Sequence, residues 1–191
     1  VQTEDIAKKA KQGAFCYGTV NMNSPCCCAA CGIPYKLLVV FLGKNKGFGV
    51  VAGENIPEGS QVCEYVGELL EREVVRKREV LYKKEGLYYL FEPSQTHFII
   101  DATYNGGVSR FINHSCKPNC KSKEIVQPEM LTLTSGHAHP SPPRVVYVTA
   151  KDVKKGEELT IDYIPNYTED TVLQKQVACF CGAPKCRRWV L

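Results

Sequence analysis

The sequence predicts a mainly β fold with short helices, of the α+β class, built as one domain with small appendages. The chain has 191 residues, a length that usually forms a single domain. From Tyr35 onward, short runs of apolar, β-branched and aromatic residues are separated by glycine and proline turns. Helical patterns are few and do not alternate with the strands, which favours this class over repeated βαβ units.

Short segments that end at glycine, proline or polar residues carry the strand pattern. They are Lys36–Leu42, Gly49–Ala52, Gln61–Val66, Leu87–Phe91, His97–Ile100 and Val145–Thr149. Near the carboxyl terminus, Gly156–Tyr163 is predicted to be a turn that leads into a strand ending in Asp-Tyr. The segment Gln127–Pro143 is rich in proline and has little periodicity, which predicts an inserted surface loop.

Two segments carry a helical pattern. Thr3–Gln12 begins at a threonine suited to capping and is followed by Gly13, which ends the helix. Glu71–Glu85 has apolar residues repeated at seven-residue intervals and is followed by Gly86 as its stop. The repeated pairs are Val74 with Leu81 and Val75 with Tyr82.

Composition excludes several classes of protein. Hydrophobic residues make up 44% and charged residues 23% of the chain, which is ordinary for a globular protein. The longest apolar run, Leu37–Leu42, is far too short to span a bilayer, and Val1–Lys11 has no secretory apolar segment. We therefore expect a soluble protein without a membrane partner. The net charge of +4 is too small to indicate direct, sequence-specific nucleic-acid binding.

Cysteine is the outlier in this composition. Eleven cysteines cannot all pair as disulfides, because the number is odd. Within each of two groups, 26–31 and 179–186, the cysteines are closely spaced in sequence. Thiols two to five residues apart suit a tetrahedral zinc ion, so the spacing favours zinc in a reducing compartment over inert buried thiols. Cys63 and Cys120 lie outside these groups and are assigned to packing.

The tail supplies three zinc ligands, because a Gly-Pro turn folds the third cysteine back towards the first two. A fourth ligand is missing locally, and Cys116 is the candidate. The predicted site is therefore Cys116, Cys179, Cys181 and Cys186. A second site is left open at the amino terminus, with Cys27 as a competing ligand; its candidates are Cys16, Cys26, Cys28 and Cys31.

Two further motifs carry chemical groups. In Gly47-Phe48-Gly49 both glycines allow a ligand to approach the backbone closely, although a strand turn explains the motif equally well. The segment Arg110–Cys120 crowds guanidinium, amide, imidazole and thiol groups together. The alternative for this segment is a polar turn in which Asn113 and Asn119 satisfy local backbone groups.

In this order, the segments resemble the SET-domain family of protein lysine methyltransferases. The matching segments are Gly47–Gly49, Glu64–Glu68, Tyr89–Phe91, Arg110–Asn119, Gly156–Tyr163 and the Cys-x-Cys-x4-Cys tail. The resemblance implies a SET domain over 35–165, a post-SET zinc tail over 166–191 and a Cys-rich, pre-SET-like flank over 1–34. It also implies small twisted sheets with a carboxyl-terminal pseudoknot, in which a strand threads beneath an earlier loop.

The resemblance further implies the cofactor S-adenosylmethionine and the residues that contact it. These are Gly47, Phe48, Gly49, Tyr89, Arg110, Asn113, His114 and Trp189. The substrate lysine enters a channel formed by Tyr65, Phe91, Ile161 and Tyr163. Tyr163 orients the amine through its hydroxyl and Tyr65 is the second catalytic residue. The acidic residues Glu68, Asp101 and Asp162 are candidates for steering a basic peptide, and ordinary solvation explains them equally well.

The substrate implied by the resemblance is a lysine of the histone H3 tail, in the nucleus and on chromatin, with chromatin-associated proteins as further partners. The amino-terminal cysteines are too few for a nine-cysteine, three-zinc pre-SET module, but the presence of a cluster favours position nine over positions four and thirty-six. The family usually has Phe or Tyr where this chain has Ile161, which predicts di- or trimethylation. The rival readings are a catalytically silent SET-like peptide-binding module and a zinc-ribbon nucleic-acid binder.

Overall fold

The computed structural model describes residues 35–87, 89–94, 96–125, 144–165 and 177–190. Within these ranges the chain forms ten β-strands, one α-helix and one short 3₁₀ helix. The predicted helix Thr3–Gln12, the predicted loop Gln127–Pro143 and the amino-terminal cysteines lie outside the described residues. None of the helices in the described ranges has the length and apolarity needed to cross a bilayer.

The strands are short, as the sequence predicts. They are β1 (Leu37–Phe41), β2 (Phe48–Ala52), β3 (Gln61–Tyr65), β4 (Glu68–Glu71), β5 (Leu90–Phe91), β6 (Phe98–Asp101), β7 (Asn113–His114), β8 (Cys120–Ile125), β9 (Arg144–Thr149) and β10 (Glu158–Ile161). Helix α1 covers Arg72–Glu85 and the 3₁₀ helix covers Val108–Phe111.

Three small sheets divide these strands, in the orders β1-β2-β10-β7, β3-β9-β8 and β4-β6-β5. The pairings are antiparallel except that of β10 with β7. In that parallel pair, Thr160 lies opposite Asn113 and Ile161 opposite His114. The last strand thus enters between β2 and β7, which is the crossed connection that a carboxyl-terminal pseudoknot requires. The predicted fold class is confirmed.

One apolar core joins the sheets. Val50 of β2, Val62 of β3, Val145 of β9 and Leu159 of β10 are each 0% exposed and belong to the same cluster of side chains. Burial of apolar surface from strands far apart in sequence stabilises this arrangement. The core holds β10 firmly against β2, and β10 carries the segment that leads to Tyr163.

Helix α1 lies where the sequence predicts and ends at Gly86, which adopts the left-handed conformation with φ of 67° and donates its N–H to the Tyr82 carbonyl. Of the two repeated apolar pairs, only one faces the core. Val75 and Tyr82 are buried, whereas Val74 and Leu81 are 39% and 47% exposed.

Four strands differ from the sequence prediction. The segment Leu87–Phe91 contributes only the two-residue strand β5, and β4, β7 and β8 were not predicted. Strand β8 has three successive exposed residues, Lys121, Ser122 and Lys123, so it lacks alternation. Its full register with β9, from Cys120 opposite Thr149 onward, is fixed by backbone pairing instead.

Candidate active site and metal centre

The pairing of β10 with β7 brings together two segments that are distant in sequence. Ser115 donates its backbone N–H to the Ile161 carbonyl at 2.8 Å. Tyr163 donates its backbone N–H to His114 Nδ1 at 3.2 Å, and the centres of the two rings are 5.5 Å apart. The pseudoknot that the resemblance implies requires these two segments to meet, and these two hydrogen bonds join them.

Tyr163 is partly exposed, and its hydroxyl bonds the backbone. The residue is 38% exposed, but its hydroxyl donates to the Ile112 carbonyl at 2.7 Å. Burial raises the pKa of this phenol above its ordinary value of 10.0, with Tyr89 and Glu158 adding to the effect. The hydroxyl is therefore protonated at neutral pH and able to donate a hydrogen bond.

Tyr65 lies on the other side of the same apolar region. Its hydroxyl donates to the Tyr89 carbonyl at 2.7 Å, and its ring packs against Phe91 with centres 5.4 Å apart. Burial, followed by the neighbouring Tyr163, raises the pKa of the Tyr65 phenol. Ile161 is 4% exposed and packs in the cluster that contains Tyr65 and Phe91. The structure thus brings the four predicted channel residues together.

The Gly-Phe-Gly segment lies directly against Asn113. The Asn113 Nδ2 group donates to the Phe48 carbonyl at 3.0 Å and to Glu158 Oε1 at 3.1 Å. A Cβ atom on Gly49 would stand 2.9 Å from Asn113 Nδ2 and 2.2 Å from a methyl carbon of Leu42. Gly47 has a φ of 66°, where side chains are disfavoured. Both glycines are therefore required by the local structure.

A cavity of about 650 Å³ opens beside this segment. Residues 42–46 line one side of it, and the tail lines the other through Phe180, Pro184 and Arg188 among others. None of the eight predicted cofactor contacts lines this cavity; Gly47 and Trp189 come nearest, each next in sequence to a lining residue. Sequence reasoning missed the lining residues because exposed turn residues such as Lys44 and Asn45 carry no pattern.

Arg110, predicted to contact the cofactor, is a buried support of Tyr89. Its guanidinium carbon lies 4.3 Å from the centre of the Tyr89 ring and 5.3 Å from that of Phe111. Its Nη2 group donates to the Thr103 carbonyl at 2.8 Å. This cation–π stacking holds the ring of Tyr89, whose carbonyl in turn accepts the hydroxyl of Tyr65.

Four cysteines form the candidate metal centre. The sulfur atoms of Cys116, Cys179, Cys181 and Cys186 all lie within 4.8 Å of one another. Cys116 Sγ is 3.8 Å from Cys179 Sγ and 4.0 Å from Cys186 Sγ. Zinc–sulfur bonds of about 2.3 Å in a tetrahedron place sulfurs about 3.8 Å apart, so the cluster fits zinc. The predicted four residues are therefore brought together.

Backbone N–H groups donate to three sulfur atoms of this centre. Arg187 donates to Cys116 Sγ at 3.4 Å, Arg188 to Cys186 Sγ at 3.3 Å, and Ala183 to Cys181 Sγ at 3.5 Å. Burial by itself raises the pKa of Cys181, but backbone N–H donors and neighbouring thiols outweigh it and lower the pKa to about 6. Thiolates are the form that binds metal.

Cys63 and Cys120, assigned to packing, are each 1% exposed. Burial raises the pKa of both thiols, that of Cys120 to about 12. These side chains pack in the core as neutral groups.

His114 connects the active-site turn with the metal centre. Its Nδ1 atom accepts the Tyr163 N–H, and its Nε2 atom lies 3.3 Å from Cys116 Sγ. Burial lowers the pKa of His114; Asp162 opposes this effect and Arg187 adds to it. The neutral imidazole is therefore favoured, with Nδ1 as an acceptor.

The three acidic residues considered for peptide steering are paired with arginines. Arg78 bonds both Glu68 and the buried Asp101, and Arg187 bonds Asp162. These ion pairs tie elements of the fold together and leave little free negative charge for a peptide.

A family model described as the SET domain matches residues 47–164. The chain belongs to the SET-domain family. The matched range contains the Gly-Phe-Gly segment, the 3₁₀ helix, Asn113, His114 and strand β10, which are the elements that build the candidate site.

Curated relatives in this family are histone-lysine methyltransferases. "Histone-lysine N-methyltransferase 2D" of Homo sapiens is 33% identical over 154 residues, covering 79% of this chain and 2% of that protein. An H3 lysine-36 specific enzyme of Cryptococcus neoformans is 36% identical over 153 residues, covering 80% and 16%. An H3 lysine-4 specific enzyme of Mycosarcoma maydis is 36% identical over 145 residues, covering 75% and 9%. The chain spans only a small part of these relatives.

Solved structures give the same family. KRYPTONITE in complex with DNA, an H3(1–15) peptide and SAH matches with a TM-score of 0.65 and 33% identity, covering 83% of this chain and 30% of that one. SUVH6 of Arabidopsis thaliana in complex with SAM also matches with a TM-score of 0.65 and 33% identity, covering 83% and 33%.

Proposed function

We propose that the chain is a protein-lysine N-methyltransferase that moves methyl groups from S-adenosylmethionine to a lysine of the histone H3 tail. The observation that carries the proposal is the meeting of Tyr163 and His114 where β10 pairs with β7, next to the apolar cluster that contains Tyr65. The names of the relatives, and the SAM, SAH and H3 peptide in the related structures, support the same activity.

The channel residues prepare the lysine for reaction. An amine must lose its proton before it can attack a methyl carbon, and the apolar walls formed by Tyr65, Phe91 and Ile161 disfavour the ammonium form. The hydroxyls of Tyr65 and Tyr163 donate their protons to backbone carbonyls, so their oxygens can accept N–H bonds from the amine and orient it. Alignment contributes most of the rate in such a transfer. Aromatic faces then accommodate the methylated ammonium product.

The cavity between residues 42–46 and the tail is the proposed cofactor site. Its volume of about 650 Å³ lies in the usual range for small-molecule sites. When bound, S-adenosylmethionine supplies a methyl group on a positively charged sulfonium. Gly47, Phe48 and Gly49 give close backbone approach, and Asn113 and His114 flank them. Of the remaining predicted contacts, Trp189 follows the lining residue Arg188 in sequence, and Arg110 acts through the ring of Tyr89.

The four-cysteine centre is proposed to hold one structural zinc ion, which fixes the post-SET tail, 166–191, to the SET domain, 35–165. Cys116 lies two residues after His114, so the same ion anchors the cavity wall and the active-site turn. The Cys-rich flank, 1–34, with its candidate second zinc site, keeps its predicted role as a pre-SET-like segment.

The finer substrate assignment is lysine nine of histone H3. Positions four and thirty-six are the alternatives, and each appears in the name of a relative. The product is proposed to be di- or trimethyl-lysine, because Ile161 has no hydroxyl to anchor a water molecule in the channel. Histone H3 as the substrate implies a nuclear, chromatin-bound protein with chromatin-associated partners.

The test is methyl transfer from labelled S-adenosylmethionine to H3 peptides centred on lysine four, nine or thirty-six, each with a lysine-to-alanine control peptide. Lysine-dependent labelling of one peptide supports the proposal. Peptide binding without labelling would favour the silent module.

Tyr163→Phe is expected to lower kcat by at least about 10²-fold, since it removes a positioned hydroxyl from the reacting groups. Cofactor affinity should stay unchanged, because the ring remains. Titration calorimetry with S-adenosylmethionine and steady-state kinetics measure the two effects. Full turnover by Tyr163→Phe would show that this hydroxyl has no part in the reaction. Tyr104→Phe is the matched control, since Tyr104 is an exposed tyrosine away from the site.

A further inference from the structure

Arg187 contacts both residues that flank Tyr163. Its Nη2 group donates to Asp162 Oδ1, and its Nη1 group donates to the Ile164 carbonyl at 3.0 Å. The Arg187 side chain is 17% exposed and that of Asp162 is 25% exposed, so water competes only weakly for these bonds. One planar guanidinium thus holds the chain on both sides of the tyrosine.

The same residue is fixed to the metal centre. Arg187 directly follows Cys186, and its backbone N–H donates to Cys116 Sγ at 3.4 Å. Its Nη2 group also lies 3.3 Å from His114 Nε2. The backbone of Arg187 is therefore fixed at the point where the tail cysteines converge. Its guanidinium reaches the active-site turn through the bonds to Asp162 and Ile164.

We propose that Arg187 is a positioning residue for methyl transfer, which holds the turn 162–164 so that the Tyr163 hydroxyl stays directed into the channel. The inference rests on the proposed function. It gives the zinc tail a second role besides lining the cofactor cavity, because closure of the cysteine site also sets the position of Tyr163.

The chemistry of the side chain supports this assignment. A guanidinium offers several N–H donors in a rigid plane, which suits a carboxylate and a carbonyl on either side of one residue. A lysine at this position would carry the same charge on a single flexible ammonium and would not hold both acceptors in one geometry. Displacing a reacting group by about 1 Å costs on the order of 10² in rate.

The test compares Arg187→Ala and Arg187→Lys with Lys185→Ala, which removes an exposed positive charge from the same tail turn. For each protein we would measure zinc per chain, hydrogen exchange of the peptide covering 159–165, and kcat and KM for cofactor and H3 peptide. Arg187→Ala should retain zinc, lose about tenfold or more of the amide protection at 163 and 164, and lower kcat by about 10- to 100-fold with little change in KM.

Arg187→Lys should give intermediate kcat and exchange, and Lys185→Ala should match the wild type. In a double-mutant cycle, Asp162→Asn should lower kcat by itself and add less to Arg187→Ala than it costs alone, since both changes break one contact. Full additivity would overturn the proposal.

Unchanged exchange and kcat in Arg187→Ala would also overturn the proposal, as would loss of zinc, which would make Arg187 part of the metal centre only. If the wild type transfers no methyl group to any peptide, the proposed function fails. The hydrogen-exchange data would then still show whether Arg187 holds the turn 162–164 in place.

Discussion

The β core and the carboxyl-terminal tail are held in place by different forces. The core depends on apolar side chains such as Val62 and Leu159, which are 0% exposed. None of the described tail residues, 177–190, belongs to that buried core. The tail instead reaches the domain through the sulfur of Cys116 and the guanidinium of Arg187. The core is therefore stabilised by burial, and the tail by metal ligands and charge.

The cysteines show the same difference within one residue type. Burial raises the pKa of Cys63 in the core, whereas backbone N–H groups and neighbouring thiols lower that of Cys181 in the tail to about 6 against the opposing effect of burial. The Cys63 thiol stays neutral and packs, whereas the Cys181 thiol is readily deprotonated for metal binding; within the same cluster, burial raises the pKa of Cys179. A substitution or a chelator can accordingly disturb the tail without the β core, or the core without the tail.

Removal of the metal is expected to have the largest effect on activity. Chelation, or Cys181→Ser, should abolish methyl transfer, because without the ion nothing holds the cysteine sulfur atoms together and the tail no longer lines the cavity. The melting temperature of the β core should change little. Metal analysis, activity and near-ultraviolet circular dichroism measure the three quantities.

Cys63→Ala is the matched control for the metal experiment, since it changes a cysteine of the core and should leave zinc and cofactor affinity in place. Full activity in zinc-free protein would contradict the role given to the tail. Unfolding of the core on chelation would contradict the separation of the two regions.

A core substitution should give the reverse result. Ile56 is 1% exposed, and its backbone pairs with Val153 through two 2.8 Å hydrogen bonds. Ile56→Ala is expected to lower the free energy of unfolding by about 2–5 kcal/mol, through lost burial and a residual cavity. Urea unfolding measures the change, and zinc content should stay the same. Leu38→Ala, at a residue 41% exposed, should cost far less; equal costs would show that the core packing is misassigned.

The sequence predicted the two regions by different routes. Periodicity and glycine stops predicted helix α1 and the longer strands, because these elements are fixed by local patterns. Cysteine spacing predicted three of the tail ligands, since closely spaced thiols leave a local signal. The meeting of His114 with Tyr163 came from the family resemblance alone. Neither segment has a periodicity that predicts the pairing of β10 with β7.

Contacts between distant residues explain what sequence reasoning missed. The ion pair of Lys46 with Glu158 joins residues 112 positions apart, and that of Arg187 with Asp162 joins residues 25 apart. Such pairs form only after the sheets have assembled, so neither partner carries a pattern. The two-residue strand β7 was missed for the same reason, because its pairing depends on β10.

A smaller effect on the free energy of unfolding is expected at the buried carboxylate of Asp101, which connects helix α1 with the core. Asp101 is 0% exposed and accepts hydrogen bonds from Tyr82 at 2.7 Å, Arg78 at 2.9 Å and the Thr103 N–H at 2.9 Å. Burial raises its pKa, but these donors outweigh burial and hold the pKa below the ordinary 3.8. The charged form is thus stabilised in the folded state.

Tyr82→Phe should lower the free energy of unfolding by about 1–3 kcal/mol at neutral pH, because it removes one donor from a buried carboxylate. The stabilisation is present above the unfolded pKa and is lost as pH falls through the lower folded pKa. The difference from the wild type should therefore shrink below about pH 4. Urea unfolding at a series of pH values measures it, with Tyr104→Phe as the control. A difference that grows on acidification would contradict the assigned charge.

The smallest expected effect is on the number of methyl groups added. Ile161 is 4% exposed, lies opposite His114 in the β10–β7 pair and packs in the cluster with Tyr65. Ile161→Tyr would add a hydroxyl that anchors a water molecule in the space a methylated amine needs. The ratio of second to first methyl transfer should fall by about tenfold, which corresponds to about 1.4 kcal/mol.

Ile161→Phe separates the hydroxyl from the size of the ring, because it adds an aromatic wall without a group that binds water. We expect this variant to keep most of its di- and trimethylated product, whereas Ile161→Tyr accumulates monomethyl-lysine. Mass spectrometry of the peptide at long reaction times, with enzyme in excess, distinguishes the two. A wild-type reaction that stops at monomethyl-lysine would mean that another group in the channel, such as the Tyr65 hydroxyl, already holds that water and that Ile161 serves only as a core side chain.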